Sequence, residues 1–136
     1  MIPSIKPFIQ EEFTFQDEPT HTYKMDILKC TVSGYSDGLE AMKQTIHKIL
    51  CTERFQYLIY SGNYGLELID LYGQPVSYVC PELERRITEA LLWDDRIQSV
   101  DDFQFHLPNK GEICVTFTVH TIFGDVRSEK AVNLNV

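Results

Sequence analysis

The fold is decided by an alternating stretch near the C-terminus, Ile113-Cys114-Val115-Thr116-Phe117-Thr118-Val119-His120. Because successive side chains of a strand point to opposite faces, this pattern predicts a β-strand with one buried and one polar face. The alternation also occurs earlier at Phe103, Phe105 and Leu107, and later at Val126, Val132, Leu134 and Val136. Residues 108–111 and Gly124-Asp125 have turn composition. The sequence therefore predicts a three-stranded antiparallel meander.

Two segments upstream have helical periodicity. Asp37 followed by Glu40 resembles a capping box and predicts a helix start. The apolar stripe of this helix is Leu39, Met42, Ile46, Ile49 and Leu50. Pro81 suits the first position of a second helix that runs to about Leu92. Its apolar stripe is Leu83, Ile87, Ala90 and Leu91.

The remaining segments complete an α+β prediction, with the two main helices packed on the antiparallel sheet. Residues 23–27 and 31–33 predict a short N-terminal hairpin, and residues 57–60 predict a further short strand. Residues 1–21 contain Pro3, Pro7 and Pro19 and predict an extended N-terminal arm. Residues 22–136 are then expected to form a single domain.

Composition excludes several classes of function. The chain has 136 residues, a net charge of −8 and no basic run, which disfavours direct binding to nucleic acid. No apolar stretch approaches the roughly 20 residues that span a bilayer, so we expect a cytosolic product and no membrane partner. The four cysteines lack zinc-ligand spacing, and we expect reduced thiols with no metal and no cofactor.

Each predicted helix ends in an acid–Arg segment. The first acid–Arg segment is Thr52-Glu53-Arg54 and the second is Asp94-Asp95-Arg96. We expect each Arg to lie near the last helix carbonyls and to be held by the preceding acid, Glu53 or Asp95. Two interpretations remain open: an intramolecular contact, or a docking site in which bidentate geometry sets the register of a partner.

Paired carboxylates raise the alternative of a peptidoglycan-cleaving glycosidase, which needs one acid of raised pKa and one ionised acid across a sugar cleft. The candidates are Glu53, Asp70, Asp94 and Asp95, but nothing in their spacing selects a pair. The adjacent Arg residues would hold Glu53 and Asp95 ionised. We therefore predict that the chain is not an enzyme.

The last strand is the second candidate for partner binding. Residues 130–136 alternate, contain no Pro, and are guarded by Lys130 alone, so they predict an open sheet edge that can accept or donate a strand. Val132, Leu134 and Val136 are its apolar positions. On this interpretation, residues 132–136 could be removed without loss of the fold.

Several motifs in order resemble the XkdS-like branch, found in PBSX-type prophages, of the contractile phage baseplate wedge family, historically called lysozyme-like. The resemblance covers residues 22–124, and the broader family has Glu-Pro-Arg where this chain has Asp94-Asp95-Arg96. The motifs that carry it are Asp37-Gly38-Leu39-Glu40-Ala41, Lys48-Ile49-Leu50, Thr52-Glu53-Arg54, Tyr57-Leu58-Ile59-Tyr60-Ser61, Asn63-Tyr64-Gly65, residues 81–87, Asp94-Asp95-Arg96-Ile97 and residues 119–124.

The resemblance implies a structural role. Such a protein lies in the baseplate of a virion or tail-like particle, assembled in the bacterial host cytoplasm, with several copies per particle and six expected from tail symmetry. Its implied partners are baseplate wedge proteins, the tail sheath protein, and tail tube or hub proteins, and its C-terminal sheet would template the sheath. The candidate partner-binding residues are Glu53, Arg54, Tyr64, Asp94, Asp95, Arg96, Val132, Leu134 and Val136.

Overall fold

The computed structural model describes residues 20–134 and has an α+β fold, as predicted. In chain order the elements are β1 (Thr22–Asp26), β2 (Thr31–Ser36), α1 (Gly38–Cys51), a short 3-10 helix (Ile69–Leu71), α2 (Val76–Leu92), β3 (Ile97–His106), β4 (Glu112–Thr121) and β5 (Gly124–Asn133). The predicted extended arm falls on residues 1–21, of which residues 1–19 lie outside the described residues, as does Val136.

The C-terminal strands form one antiparallel sheet in the order β3-β4-β5, which confirms the predicted meander. On β4 the apolar face is at most 1% exposed and is formed by Ile113, Val115, Phe117 and Val119. The bounds differ from prediction. β3 begins well before Phe103, because a bulge between Asp101 and Gln104 interrupts the alternation. β4 ends at Thr121, so Ile122 and Phe123 form the hairpin turn.

Both helices bury most of their predicted apolar stripes, with Leu39 and Ala90 only partly buried. α1 packs on β5 and α2 packs on β3, and the two helices also contact each other. Asp37 is the N-cap of α1 and accepts a hydrogen bond from the Gly38 N–H at 2.7 Å. Glu40 does not complete a capping box within the described residues, because its carboxylate bonds to Lys43 at 3.3 Å.

The predicted start of the second helix is wrong. α2 begins at Val76, and Pro81 lies inside it. The additional turn is stabilised by Val79, which is fully buried, and by the Val79 N–H, which donates to the Pro75 carbonyl at 3.1 Å. Pro81 deprives the Ser77 carbonyl of its helical donor, but both residues are exposed, so water can satisfy that carbonyl.

The predicted N-terminal hairpin is present, as β1 paired antiparallel with β2. It contributes little to the core, since Tyr23 and Tyr35 are 65% and 63% exposed. Its anchor is Gln44 of α1. The Gln44 side chain accepts from the Met25 N–H at 2.9 Å and donates to the Tyr23 carbonyl at 2.8 Å. The hairpin thus lies on α1 as a separate two-stranded ribbon.

Candidate partner-binding surfaces

A groove of about 530 Å³ opens between the two helices, and we call it the inter-helix groove. It brings together four of the candidate residues: Tyr64, Asp94, Asp95 and Arg96. The other lining residues are Thr45, Ile49, Asn63, Ala90 and Trp93. The sequence analysis did not select Trp93, which is 61% exposed although it directly follows α2. The groove therefore combines an aromatic rim with a charged end.

The charged end is an ion pair between Asp94 and Arg96. Arg96 Nε and Nη2 donate to the two Asp94 carboxylate oxygens at 2.9 and 2.6 Å, and the Arg96 backbone N–H donates to Asp94 Oδ1 at 3.0 Å. The hydrogen bond from Arg96 lowers the pKa of Asp94 and, in return, raises the pKa of Arg96. Asp94 is therefore held ionised.

The prediction that Asp95 pairs with Arg96 is wrong, because Arg96 pairs with Asp94. The chain turns at Asp94, whose carboxylate accepts the backbone N–H two residues later, and this turn brings the side chains of Asp94 and Arg96 together. Asp95 lines the inter-helix groove and forms no ion pair within residues 20–134. Its carboxylate is thus available to a partner at the groove.

The predicted pair of Glu53 with Arg54 is also wrong. Glu53 Oε1 accepts the backbone N–H groups of Leu68 and Ile69 at 2.8 and 3.1 Å, so Glu53 caps the 3-10 helix. Its backbone forms a bridge with Leu66. This close approach depends on Gly65 (φ 97°), where a Cβ would lie 2.6 Å from the Thr52 carbonyl oxygen. Glu53 therefore holds the backbone of this segment in place.

Arg54 points to the opposite side of its segment. Its Nε donates to the Gly62 carbonyl at 2.6 Å, and its guanidinium carbon lies 4.6 Å from the centre of the Phe55 ring. Arg54 forms no ion pair in the described part of the chain. These two contacts fix the guanidinium over an exposed aromatic ring, where it can meet an acid of a partner.

Residues 55–60 form an exposed loop, and the predicted strand at residues 57–60 is wrong. We call residues 55–60 the apolar loop. Leu58 is fully exposed, and Ile59, Phe55, Tyr57 and Tyr60 are 85%, 64%, 56% and 42% exposed. Tyr60 stacks on Tyr64 with ring centres 4.4 Å apart, which joins the loop to the rim of the inter-helix groove. Burial, chiefly, raises the pKa of the Tyr64 hydroxyl.

Two of the three candidate residues of the last strand, Val132 and Leu134, lie inside the fold. Val132 and Leu134 are 4% and 6% exposed and belong to the hydrophobic core. Leu134 is further held by its N–H, which donates to the Gly111 carbonyl at 2.7 Å. The predicted tolerance to removal of residues 132–136 is therefore wrong. The buried side chains of Val132 and Leu134 are therefore not available to another chain, whereas the backbone at the outer edge of β5 is.

The two edges of the sheet differ. β5 pairs with β4 in unbroken register from Gly124 to Asn133. β3 carries the bulge, with Asp102 in a left-handed conformation (φ 56°). Bulges and charges disfavour strand addition at an edge, so β3 is a poor acceptor. Within residues 20–134 no strand pairs with the outer edge of β5.

The register also shows which groups of β5 point outward. The Leu134 N–H donates to the carbonyl of Gly111, which directly precedes β4. Because hydrogen-bonded positions alternate along an antiparallel strand, the even-numbered residues of β5 bond to β4. The odd-numbered residues between them direct their N–H and C=O groups away from β4, among them Asp125, Arg127, Glu129 and Ala131. The edge therefore presents a row of backbone groups suitable for an added strand.

The outer face of the sheet, opposite the helices, carries an electrostatic bridge across all three strands. His120 on β4 bonds to Asp125 of β5 at 2.7 Å and to Asp101 of β3 at 2.9 Å. The hydrogen bond to Asp125 has the largest effect, and together with that to Asp101 it raises the pKa of His120. Beside them Arg127 contacts Asp102. Because of the bulge in β3, the consecutive residues Asp101 and Asp102 both form contacts on this face.

The carboxylates do not form a glycosidase pair. Arg86 donates to Asp70 at 2.9 Å and lowers its pKa, and Arg96 lowers that of Asp94. A general acid requires the opposite shift. Glu53 is occupied by backbone amides. The described residues also contain no cluster of three His, Cys, Asp or Glu residues that could hold a metal ion.

Comparison with known proteins identifies relatives. Residues 17–124 match the family described as contractile injection system sheath initiator. The chain is also 36% identical over 124 residues to "Phage-like element PBSX protein XkdS" of Bacillus subtilis (strain 168), which covers 88% of this chain and 86% of that protein. Between residues 20 and 134 no helix is long and apolar enough to cross a membrane.

Proposed function

Because the chain belongs to the contractile injection system sheath initiator family, we propose that it is a structural protein of a phage tail or tail-like particle that starts the sheath by strand addition. In this proposal the first sheath subunits add a strand to the outer edge of β5. The observation that carries the proposal is this uninterrupted edge, on a sheet whose other edge is blocked by a bulge. Main-chain hydrogen bonds to such an edge provide affinity with little demand on sequence.

A second surface binds the baseplate in this proposal. Trp93 and Asp95 line the inter-helix groove, and the stack of Tyr60 on Tyr64 joins this groove to the apolar loop, where Leu58 and Ile59 are exposed. Exposed aromatic and aliphatic groups beside fixed charges are typical of protein interfaces. Wedge subunits are the partners we assign to this surface, in keeping with the resemblance of both acid–Arg segments to the baseplate wedge family. The same resemblance supports neighbouring tube or hub proteins and six copies per particle.

The glycosidase alternative is not supported by the geometry. Asp70 and Asp94 are each bound to an Arg, and Glu53 caps a helix, so none of the three is placed to donate a proton to a sugar. The chain then acts by binding alone. Its place of action in this proposal is the baseplate, after synthesis and assembly in the cytoplasm of the host.

The variant Ala131→Pro tests sheath initiation. The outward N–H of residue 131 would be lost, whereas no hydrogen bond from β5 to β4 would be removed, because only the even-numbered residues of β5 bond to β4. We expect folded protein that enters baseplates but yields tails without sheath, scored by negative-stain electron microscopy. The matched control Ala131→Val retains the N–H and should give sheathed tails. Normal sheaths on folded Ala131→Pro protein would refute strand addition at β5.

A further inference from the structure

A second, smaller groove runs beside the outer edge of β5, between that strand and α1. It has a volume of about 230 Å³, and we call it the edge groove. Its lining residues are Lys43, Ile46, His47, Leu50, Val126, Arg127, Ser128 and Glu129. Because side chains alternate along a strand, every second side chain of an added strand would project toward this groove.

The edge groove has an apolar floor. Ile46 and Leu50 of α1 and Val126 of β5 are at most 5% exposed and form part of the core. A side chain that projects from an added strand therefore meets aliphatic carbon at its base. Small and medium aliphatic groups suit this floor.

The helix side of the edge groove carries the ammonium group of Lys43, in a chain of net charge −8. Lys43 is half exposed, and His47 lies one turn further along α1. Lys130 does not line the edge groove, but it projects on the same face of β5 as Val126, further along the strand, because even positions of β5 face the helices. Glu40 bonds to Lys43 at 3.3 Å, so an incoming carboxylate would compete with Glu40 for this ammonium group. Glu129 projects to the opposite face of the sheet.

We propose that the edge groove selects an incoming strand that carries a carboxylate beside an aliphatic residue on its helix-facing side. This inference rests on the proposed function, since it assigns a side-chain preference to the strand that β5 accepts. The backbone groups of β5 attract any extended peptide, whereas Lys43 and Lys130 favour an acidic one. Repulsion between like charges also disfavours an added strand that carries lysine where the carboxylate would lie.

Two synthetic peptides of about ten residues test the preference. In both peptides every second residue is Thr, and the positions between are filled by Val and by one variable residue type. The variable residue is Glu in the first peptide and Gln in the second. Binding to the ¹⁵N-labelled protein is followed by the amide shifts of Asp125, Arg127, Glu129 and Ala131. We expect the Glu peptide to bind about threefold to tenfold more tightly at low salt, as two exposed charge pairs allow. High salt should remove most of this difference.

Matched variants locate the effect. The double variant Lys43→Gln/Lys130→Gln should bind both peptides equally, whereas Lys48→Gln changes a charge of α1 that does not line the edge groove and should keep the preference. Equal binding of the two peptides to the unmodified protein, or binding of neither, would overturn the inference. Concentration-dependent shifts of the same amides without peptide would also overturn it, by assigning the edge to a second copy of this chain. Sheath formation on Ala131→Pro separately tests the proposed function.

Discussion

At the scale of single residues, the two acid–Arg segments divide into structural and exposed members. Glu53 and Asp94 are consumed by internal hydrogen bonds, to backbone amides and to Arg96 respectively. Arg54 and Asp95 are left to face outward. All four were candidates from the sequence, but adjacency along the chain suggested the wrong pairs. Side chains two residues apart meet only because the backbone turns at Asp94, which local spacing does not reveal.

Asp94→Asn should therefore lower the free energy of unfolding, because it replaces a charged, partly buried hydrogen-bond acceptor. We expect a loss of about 1–2 kcal/mol in denaturant titrations at neutral pH. The pKa of Asp94 is lowered in the folded state, so this stabilisation exists above the ordinary pKa of Asp and disappears as the pH falls through the lowered value. The control Asp95→Asn should change stability by less than about 0.5 kcal/mol. Equal losses in the two variants would contradict the assigned pairing.

His120 gives a second pH dependence, of opposite sign. Its pKa is raised in the folded state by Asp125 and Asp101, so its stabilisation is complete below the ordinary value of about 6.5 and is lost as the pH rises through the raised value. The unmodified protein should thus exceed His120→Gln in thermal stability at low pH and approach it at high pH. His106→Gln provides the control. A stability gap that does not vary with pH would exclude the charged bridge.

At the scale of elements, the sequence predicted those whose periodicity is expressed by buried side chains. β4 buries the positions that its alternation marks, and α1 buries those of its helical stripe except Leu39, which is partly buried. Pro81 misled the prediction because a proline at an exposed position is tolerated when the preceding turn is held by a buried residue, here Val79. The apolar loop misled it because a short apolar run has no period that separates a strand from an exposed binding loop.

The double variant Leu58→Ser/Ile59→Ser tests the role of the apolar loop. Both side chains are almost entirely exposed, so we expect the free energy of unfolding to change by less than about 0.5 kcal/mol. Incorporation into baseplates should fall strongly, as measured by the amount of this chain in purified particles. The control Leu28→Ser removes a fully exposed leucine from the N-terminal hairpin turn. Normal incorporation of the loop variant would remove this surface from the proposed baseplate interface.

At the scale of the whole molecule, α1 separates the two proposed binding surfaces. Thr45 and Ile49 line the inter-helix groove, whereas Lys43, His47 and Leu50 line the edge groove beside β5. One chain can therefore bind a baseplate partner at the first surface and a sheath strand at the second without competition. This division supports a protein that connects two assemblies. The sequence predicted both regions as candidates, but their arrangement around one helix required the fold.

Electron cryomicroscopy of the junction between baseplate and first sheath ring tests the central claim most directly. We expect an added strand hydrogen-bonded to β5, with contacts to the outward backbone groups of Asp125, Arg127, Glu129 and Ala131. The apolar loop should be covered by a different, baseplate subunit. A sheath ring that leaves the edge of β5 unpaired would contradict the proposal that this chain starts the sheath by strand addition.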